Sequence, residues 1–421
     1  MKKNIGFALG LMLALLMVLA PPALAQKEVV IGVIYPLSGP VAQVGIDAVA
    51  AVNTALEIAN EDVDMDVPLA RGKGLPGLGG AKVRVVVVDH QGKPDIGQGE
   101  AERLITQEKV HALFGAYYSS VTQVTSQVAE RYQIPHVNGE SASPKLTERG
   151  FKWFFRTGPH DGEFTKVMFD FMRDFQKKKG VKISTVGIMH EDTLWGADSG
   201  KVQEQMAKKG GYRITNKIAY RAKTTSLTSE VQRLKAANPD VYLPSSYTSD
   251  ALLFMKNAKE LDYNPKLLIA QNAGYTDPTF LTTLGKDAEG VITRTPFNND
   301  LAGRIPLINK INAIFKKHSN GRDLSDVPVR AFTGFLTLLD AINRAGSTEP
   351  EAIRKALVAT DIPASQLMVP WEGIRFGPDG HNQLVGGLLM QVQNGKWCTI
   401  YPFEMASCDV MYPMPSWSEK K

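Results

Sequence analysis

The sequence predicts an α/β protein of two Rossmann-like lobes with parallel sheets. Apolar runs of strand length alternate with amphipathic helical stretches, the pattern of parallel sheets covered on both faces. The alternation breaks near Phe154-Phe155 and then restarts with the same wiring. The chain has 421 residues, more than the roughly 250–300 at which one core stops growing and a chain divides.

The first strand is VVIGVIY, ending at Tyr35, followed by the loop PLSGPVAQVG and a helix from about Asp47 to Asn60. A second strand, KVRVVVVD, ends at Asp89, and the helix after it carries Ile96, Ala101, Leu104 and Ile105 on one face. HALFGA, a helix through VTQVTSQVAERY and the strand IPHVN complete the first series. In the second series, ISTVGIM and a strand before Arg221 flank a helix through Val202 and Met206. DVYLPSS then leads into a helix from Asp250 to Leu261, and KLLIA is a further strand. ARGKGLPGLGG (Ala70 to Gly80) lacks the Lys-Ser/Thr ending of a phosphate loop and reads as a flexible surface excursion. LLMQVQ-NG-KWCTIY is a hairpin turning at Asn394-Gly395, and the Pro- and Met-rich end reads as a surface-packed tail.

Lys2 and Lys3 precede an apolar run from Ile5 to Leu19 that closes on Ala23-Leu24-Ala25, the plan of a secretory signal peptide over residues 1–25. The apolar core is about 15 residues, short of the roughly 20 a spanning helix needs. No Cys follows the cleavage point, so the expectation is a soluble periplasmic protein without a lipid anchor. Formal charge is +5, and removing Lys2 and Lys3 leaves 5 − 2 = +3, too little to argue for nucleic acid or an anionic membrane. The Lys177-Lys178-Lys179 run reads as the solvated end of a helix. The two cysteines, Cys398 and Cys408, are most simply a disulfide in an oxidising compartment, pinning the C-terminal tail.

Ligands of open parallel sheets gather beyond the carboxyl ends of the strands. The loops there hold Tyr117, Tyr118, Trp195, Tyr247 and Tyr275, an aromatic set with hydroxyls and amides among it. Ser119 and Ser120 open a helix whose amides and dipole suit an anionic group such as a carboxylate, though ordinary N-capping uses the same residues. Enzyme signals are weak. GESAS (Gly139 to Ser143) approaches a nucleophile elbow around Ser141, but Ser143 stands where the final Gly belongs and Pro144 follows. The seven histidines show no metal spacing, and His190-Glu191-Asp192 lacks the second His of a zincin. No catalytic residue, metal or cofactor is expected.

Three segments together resemble the Leu/Ile/Val-binding proteins, receptors of branched-chain amino-acid-type ABC importers, over nearly the whole chain. They are VIYPLSGPVAQVG, GAYYSSVTQVTSQVAERYQIPHVNGESASPKLTERG and FFRTGPHDG. The resemblance implies a type I periplasmic-binding-protein architecture, two lobes joined by three crossovers that close as a hinge on a small molecule. The implied lobes are residues 27–156 with 297–365, and 157–296 with 366–400, leaving 401–421 as a tail. The implied partners are that ligand and a membrane permease, with the receptor a monomer; a ligand-sensing protein on the same fold is the rival role.

The family's carboxylate-binding serine falls on Ser119, with Ser120 beside it and Tyr118 before it. Its second carboxylate anchor falls on Ala142, between Ser141 and Ser143. Its second-lobe aromatics fall on Trp195 and Tyr247, near Tyr275. The acid that pairs with the ligand ammonium falls on Asn272, which brings no charge, so Glu140 is the substitute if it turns inward. The ligand therefore stands between a hydrophobic or branched-chain amino acid and an aromatic acid or amide.

Overall fold

A computed structural model describes residues 28–420, and the expected signal peptide lies outside them. The first lobe is built on strands β1 (Val29–Tyr35), β2 (Val83–Asp89), β3 (Ala112–Gly115), β4 (His136–Asn138) and β5 (Phe154–Arg156). They form one all-parallel sheet in the order β2-β1-β3-β4-β5. β1 lies inside the sheet and is buried at every position, which is why it reads as an unbroken apolar run. Helices α1 (Ala42–Asn60), α2 (Pro94–Thr106) and α3 (Ser119–Tyr132) link these strands.

The second lobe carries β6 (Thr185–Glu191), β7 (Arg213–Tyr220), β8 (Val241–Ser245), β9 (Leu267–Ala270) and β10 (Ile292–Thr295). Helices α4 (Asp161–Lys179), α5 (Leu194–Lys209), α6 (Thr228–Ala237), α7 (Thr248–Glu260) and α8 (Pro278–Leu284) alternate with them. The chain then returns to the first lobe with α9 (Leu307–His318), α10 (Asp326–Ala345) and α11 (Pro350–Val358). β11 (Ile362–Pro363) and β12 (Gly373–Ile374) make a small antiparallel pair. β13 (Leu388–Gln393) and β14 (Lys396–Tyr401) extend the second sheet to the order β14-β13-β10-β9-β8-β6-β7. Their antiparallel hairpin turns at Asn394 and Gly395, both at positive φ as an Asn-Gly turn requires.

Three expectations need correction. α1 begins at Ala42, not Asp47, because Gly45 lets the helix start tight against the preceding loop: a Cβ there would fall 1.9 Å from the Pro36 carbonyl oxygen. The glycine-rich stretch from Ala70 to Gly80 is anchored rather than free. Ala70 and Leu75 are buried, and the Gly77 amide donates to the Asn343 side chain at 2.8 Å, where any Cβ would strike the Asn343 carbonyl.

The third correction concerns the boundary placed at residue 366. Leu367, Met368, Val369, Trp371, Ile374 and Phe376 all pack into the first lobe's core. The chain stays there as far as His381, which bridges to Arg156 beside β5, and crosses only before β13. The sequence shows no break at that point because the segment has neither helix nor long strand.

Cys398 and Cys408 form the expected disulfide, with Cα atoms 6.0 Å apart. It ties the tail to the edge strand β14. The tail packs against the second lobe through Met414 and through Trp417, whose indole donates to the Tyr263 carbonyl at 3.1 Å. Lys177 to Lys179 sit exposed in the last turn of α4, as expected. Among the described residues no helix is long and apolar enough to cross a membrane.

Candidate functional site

The two lobes are closed on one another, and the carboxyl ends of both sheets face the seam. Tyr118, just before α3, and Tyr247, just before α7, meet across it with ring centroids 4.5 Å apart. Trp195, in the first turn of α5, lies 4.8 Å from Tyr247 on its other side, and Tyr117 is 5.8 Å away. Tyr247 is only 7% exposed, and with Trp195 and Ala273 it packs into the first lobe's core although it belongs to the second lobe. Tyr275 differs from these. It points into the second lobe's own core against Phe280 and does not join the interlobe stack.

Polar bonds also cross the seam. Ser143 donates to the Asp198 carboxylate on α5 at 2.5 Å, and Lys145 pairs with the same carboxylate at 2.6 Å. Asn272, in the loop after β9, donates its side-chain amide to Asp326 at the start of α10. Thr295, at the end of β10, donates to the same Asp326 oxygen at 3.2 Å. Arg330, one turn along α10, pairs with Asp326 and donates to the Glu140 carbonyl at 2.7 Å. Three non-glycine residues with positive φ, Tyr117 at 70°, Asn272 at 69° and Ala273 at 52°, belong to loops that meet here. Such conformations cost about 1–3 kcal/mol each and cluster where function over-determines the backbone.

The first-lobe candidates differ in what their side chains already bond. α3 starts at Ser119 with Tyr118 as its cap residue and no side-chain cap bond, so the alternative role of a serine N-cap is not taken up. The cap position falls on Tyr118 because its backbone is the one that turns extended. Ser119 is buried, and its hydroxyl accepts from the Ser143 amide at 3.3 Å; Ser120 is half-buried beside it. The hydroxyl of Ser141 is occupied within the lobe, donating to the Tyr117 carbonyl at 2.9 Å and bonded to Thr122 at 2.7 Å. Pro144 opens a short 3-10 turn, so no nucleophile elbow forms. Ala142 offers a carbonyl to the Asp161 amide at 2.8 Å, tying its loop to the first crossover.

Glu140 is buried, and Tyr35 donates to its Oε1 at 2.8 Å while Oε2 has no partner among the described residues. Burial pushes its carboxyl up to about 7, against the pull of Arg330 and Tyr35. The Tyr117 hydroxyl and the Arg330 Nε are likewise buried without partners among the described residues. Burial, with Tyr118 and Asp277 adding to it, holds the Tyr117 phenol well above its usual range. Glu191, singled out beside His190, caps the start of α5 by accepting from Thr193 and from the Gly196 amide at 2.8 Å.

Charged groups that sequence reading missed line the same region. Asp326 and Arg330 are invisible as site residues because the chain leaves and re-enters the first lobe before reaching them. His160, Glu163 and His381 converge from two crossovers with potential ligand atoms within 4.8 Å of one another. All three are already engaged. His381 shares Glu163 Oε1 at 2.8 Å and accepts from Arg156 at 3.1 Å, while His160 accepts from the Gly162 amide at 2.9 Å. The cluster therefore clamps the hinge. A buried guanidinium on one ring and a helix start on the other oppose a cation there.

The family model for periplasmic binding proteins matches residues 28–396. The chain belongs to the periplasmic binding protein family. The Leu/Ile/Val-binding protein homolog 7 of Brucella abortus (strain 2308) is 28% identical over 404 residues, 94% of this chain and 96% of that relative. A leucine-binding protein from Thermotoga maritima MSB8 superposes with a TM-score of 0.75 at 20% identity, over 89% of this chain and 99% of that one. A solute-binding protein of an ABC transporter from Rhodopseudomonas palustris BisB5, solved with 3,4-dihydroxybenzoic acid, gives 0.73 at 19% identity over 93% of this chain and 99% of that one. These likenesses establish the two-lobed fold.

Proposed function

We propose that the chain is the periplasmic receptor of an ABC importer, a monomer that closes on a small hydrophobic or aromatic amino-acid-like ligand and presents it to a membrane permease. The observation that carries this reading is the interlobe stack of Tyr118, Tyr247 and Trp195 beside the start of α3. The rings supply a flat apolar body for the ligand. The Ser119 and Ser120 amides at the start of α3, with the hydroxyls of the same residues, suit its carboxylate. No proton transfer or nucleophile is needed, because hinge closure alone buries the ligand.

A second reading, an aromatic acid without an amino group, draws on the same three rings and on the uncharged Asn272. A thermal-shift screen of the protein against amino acids, aromatic acids and amides tests both. Ligand at a hundredfold excess over its Kd stabilises by about 2.7 kcal/mol. Stabilisation by hydrophobic or aromatic amino acids supports the first reading. Stabilisation by aromatic acids alone moves the function to the second, and no response across the whole panel refutes both.

A further inference from the structure

The family resemblance puts the acid that balances a ligand ammonium at position 272, where Asn272 stands instead. The structure places another acid beside it. Asp326 begins α10 in the first lobe and is almost fully buried at the point where four cleft-forming segments converge. One of its oxygens accepts from Asn272 of the loop after β9 and from Thr295 of the second crossover. The other accepts from Arg330, and a carboxylate oxygen has room for two donors.

Around this pair lie polar atoms without a hydrogen-bond partner among the described residues: the Tyr117 hydroxyl, Glu140 Oε2 and Arg330 Nε. Orphaned buried polar atoms cost about 1–3 kcal/mol each, and three at one seam mark a place that a polar ligand group completes. The charge balance points the same way. Arg330 balances one carboxylate, but Asp277 is buried and held only by the Thr248 hydroxyl at 2.7 Å and the Thr279 amide at 2.9 Å. Asp277 and Asp326 both act electrostatically on the Tyr117 hydroxyl. The region therefore carries more negative than positive charge, which suits a cationic group.

We infer that the ligand's ammonium is held from the first lobe by the Asp326 carboxylate, steered by Asn272, with the Tyr117 hydroxyl completing its shell. This rests on the amino-acid-like reading above and names the residue that selects an amino acid over the same acid without its amine. Asn272 thereby keeps a place in recognition: its amide orients the acid instead of supplying it. Asp326 also touches both lobes, so binding of the cation and closure of the hinge are coupled at one side chain.

Calorimetric titrations with two matched pairs test the inference: L-leucine against 4-methylpentanoate, and L-phenylalanine against 3-phenylpropanoate. A hydrogen-bonded charge of this kind is worth about 10- to 150-fold in affinity. The wild type is therefore expected to prefer the amino acid of at least one pair by that factor. Asp326→Asn is expected to lose most of that preference, the amino acid weakening about tenfold or more beyond whatever loss of closure costs its deaminated partner, and Asp326→Glu to retain it. Equal wild-type binding of both partners overturns the inference and leaves the receptor reading standing, whether or not a variant folds. An Asp326→Asn protein that weakens both partners alike assigns the residue to structure and also overturns it. Failure of every member of both pairs to bind refutes the amino-acid-like reading itself.

Discussion

Replacing Tyr247 with Ala separates closure from folding. Tyr247 belongs to the second lobe, yet its ring touches Tyr118 at 4.5 Å and Tyr117 at 5.8 Å, both in the first lobe. Those two pairs exist only when the cleft is shut, whereas its contact with Trp195 persists when the lobes part. Each aromatic pair is worth about 0.5–1.5 kcal/mol beyond area burial, so closure loses about 1–3 kcal/mol and ligand affinity falls by roughly 5- to 150-fold. Ligand-free thermal unfolding should change little by comparison, because an open cleft already exposes the ring. Titration with the ligand found by screening, scattering of the ligand-free and bound forms, and melting of both proteins measure the three quantities. Affinity within twofold of wild type would refute the placement of Tyr247 in the site. A large drop in melting temperature without ligand would show that the ring serves the fold rather than closure.

Ser143→Ala removes the bond to Asp198 across the cleft and leaves a buried carboxylate with one partner fewer; affinity is expected to fall about tenfold or more, with scattering reporting a more open average shape. Glu140→Gln tests the buried acid. Its folded-state value of about 7 lies above the ordinary 4.5, so the folded state holds the proton longer and stability from this group is lost as pH rises from about 4.5 through 7. The variant should therefore gain on wild type between pH 5 and pH 8, by up to about 3 kcal/mol, and equal differences at the two pH values would refute the burial argument. Replacing Cys398 and Cys408 with Ser opens a ten-residue loop and is expected to lower stability by about 2–3 kcal/mol. Ligand affinity should be unchanged, because the bond sits on the edge strand far from the cleft.

Much of the proposed site was legible because parallel α/β sheets collect ligands at strand ends, so Tyr118, Trp195 and Tyr247 could be named as candidates from the loops alone. Tyr275 shows the limit of that rule. Its loop is correct, but a single 3-10 turn sends the ring into the second lobe's core. Ser141 shows another: a serine in a strand-end loop is as readily consumed by Thr122 and the Tyr117 carbonyl as offered to a ligand. Asp326 had no local signal beyond an ordinary helix start, and its meaning came from Asn272, 54 positions earlier.

The alternation of strands and helices, the Asn-Gly hairpin, the paired cysteines and the family resemblance were all local or periodic properties, and the amino-acid sequence by itself determined them. Which side chains meet across the seam was decided only in the tertiary structure. The seam is assembled from segments that leave one lobe, build the other and return, so its contacts depend on the relative placement of two sheets. A pattern with a period of two or 3.6 residues specifies the face a residue occupies. It does not specify the partner that another lobe brings to that face, and the charge balance of the cleft is set by those partners.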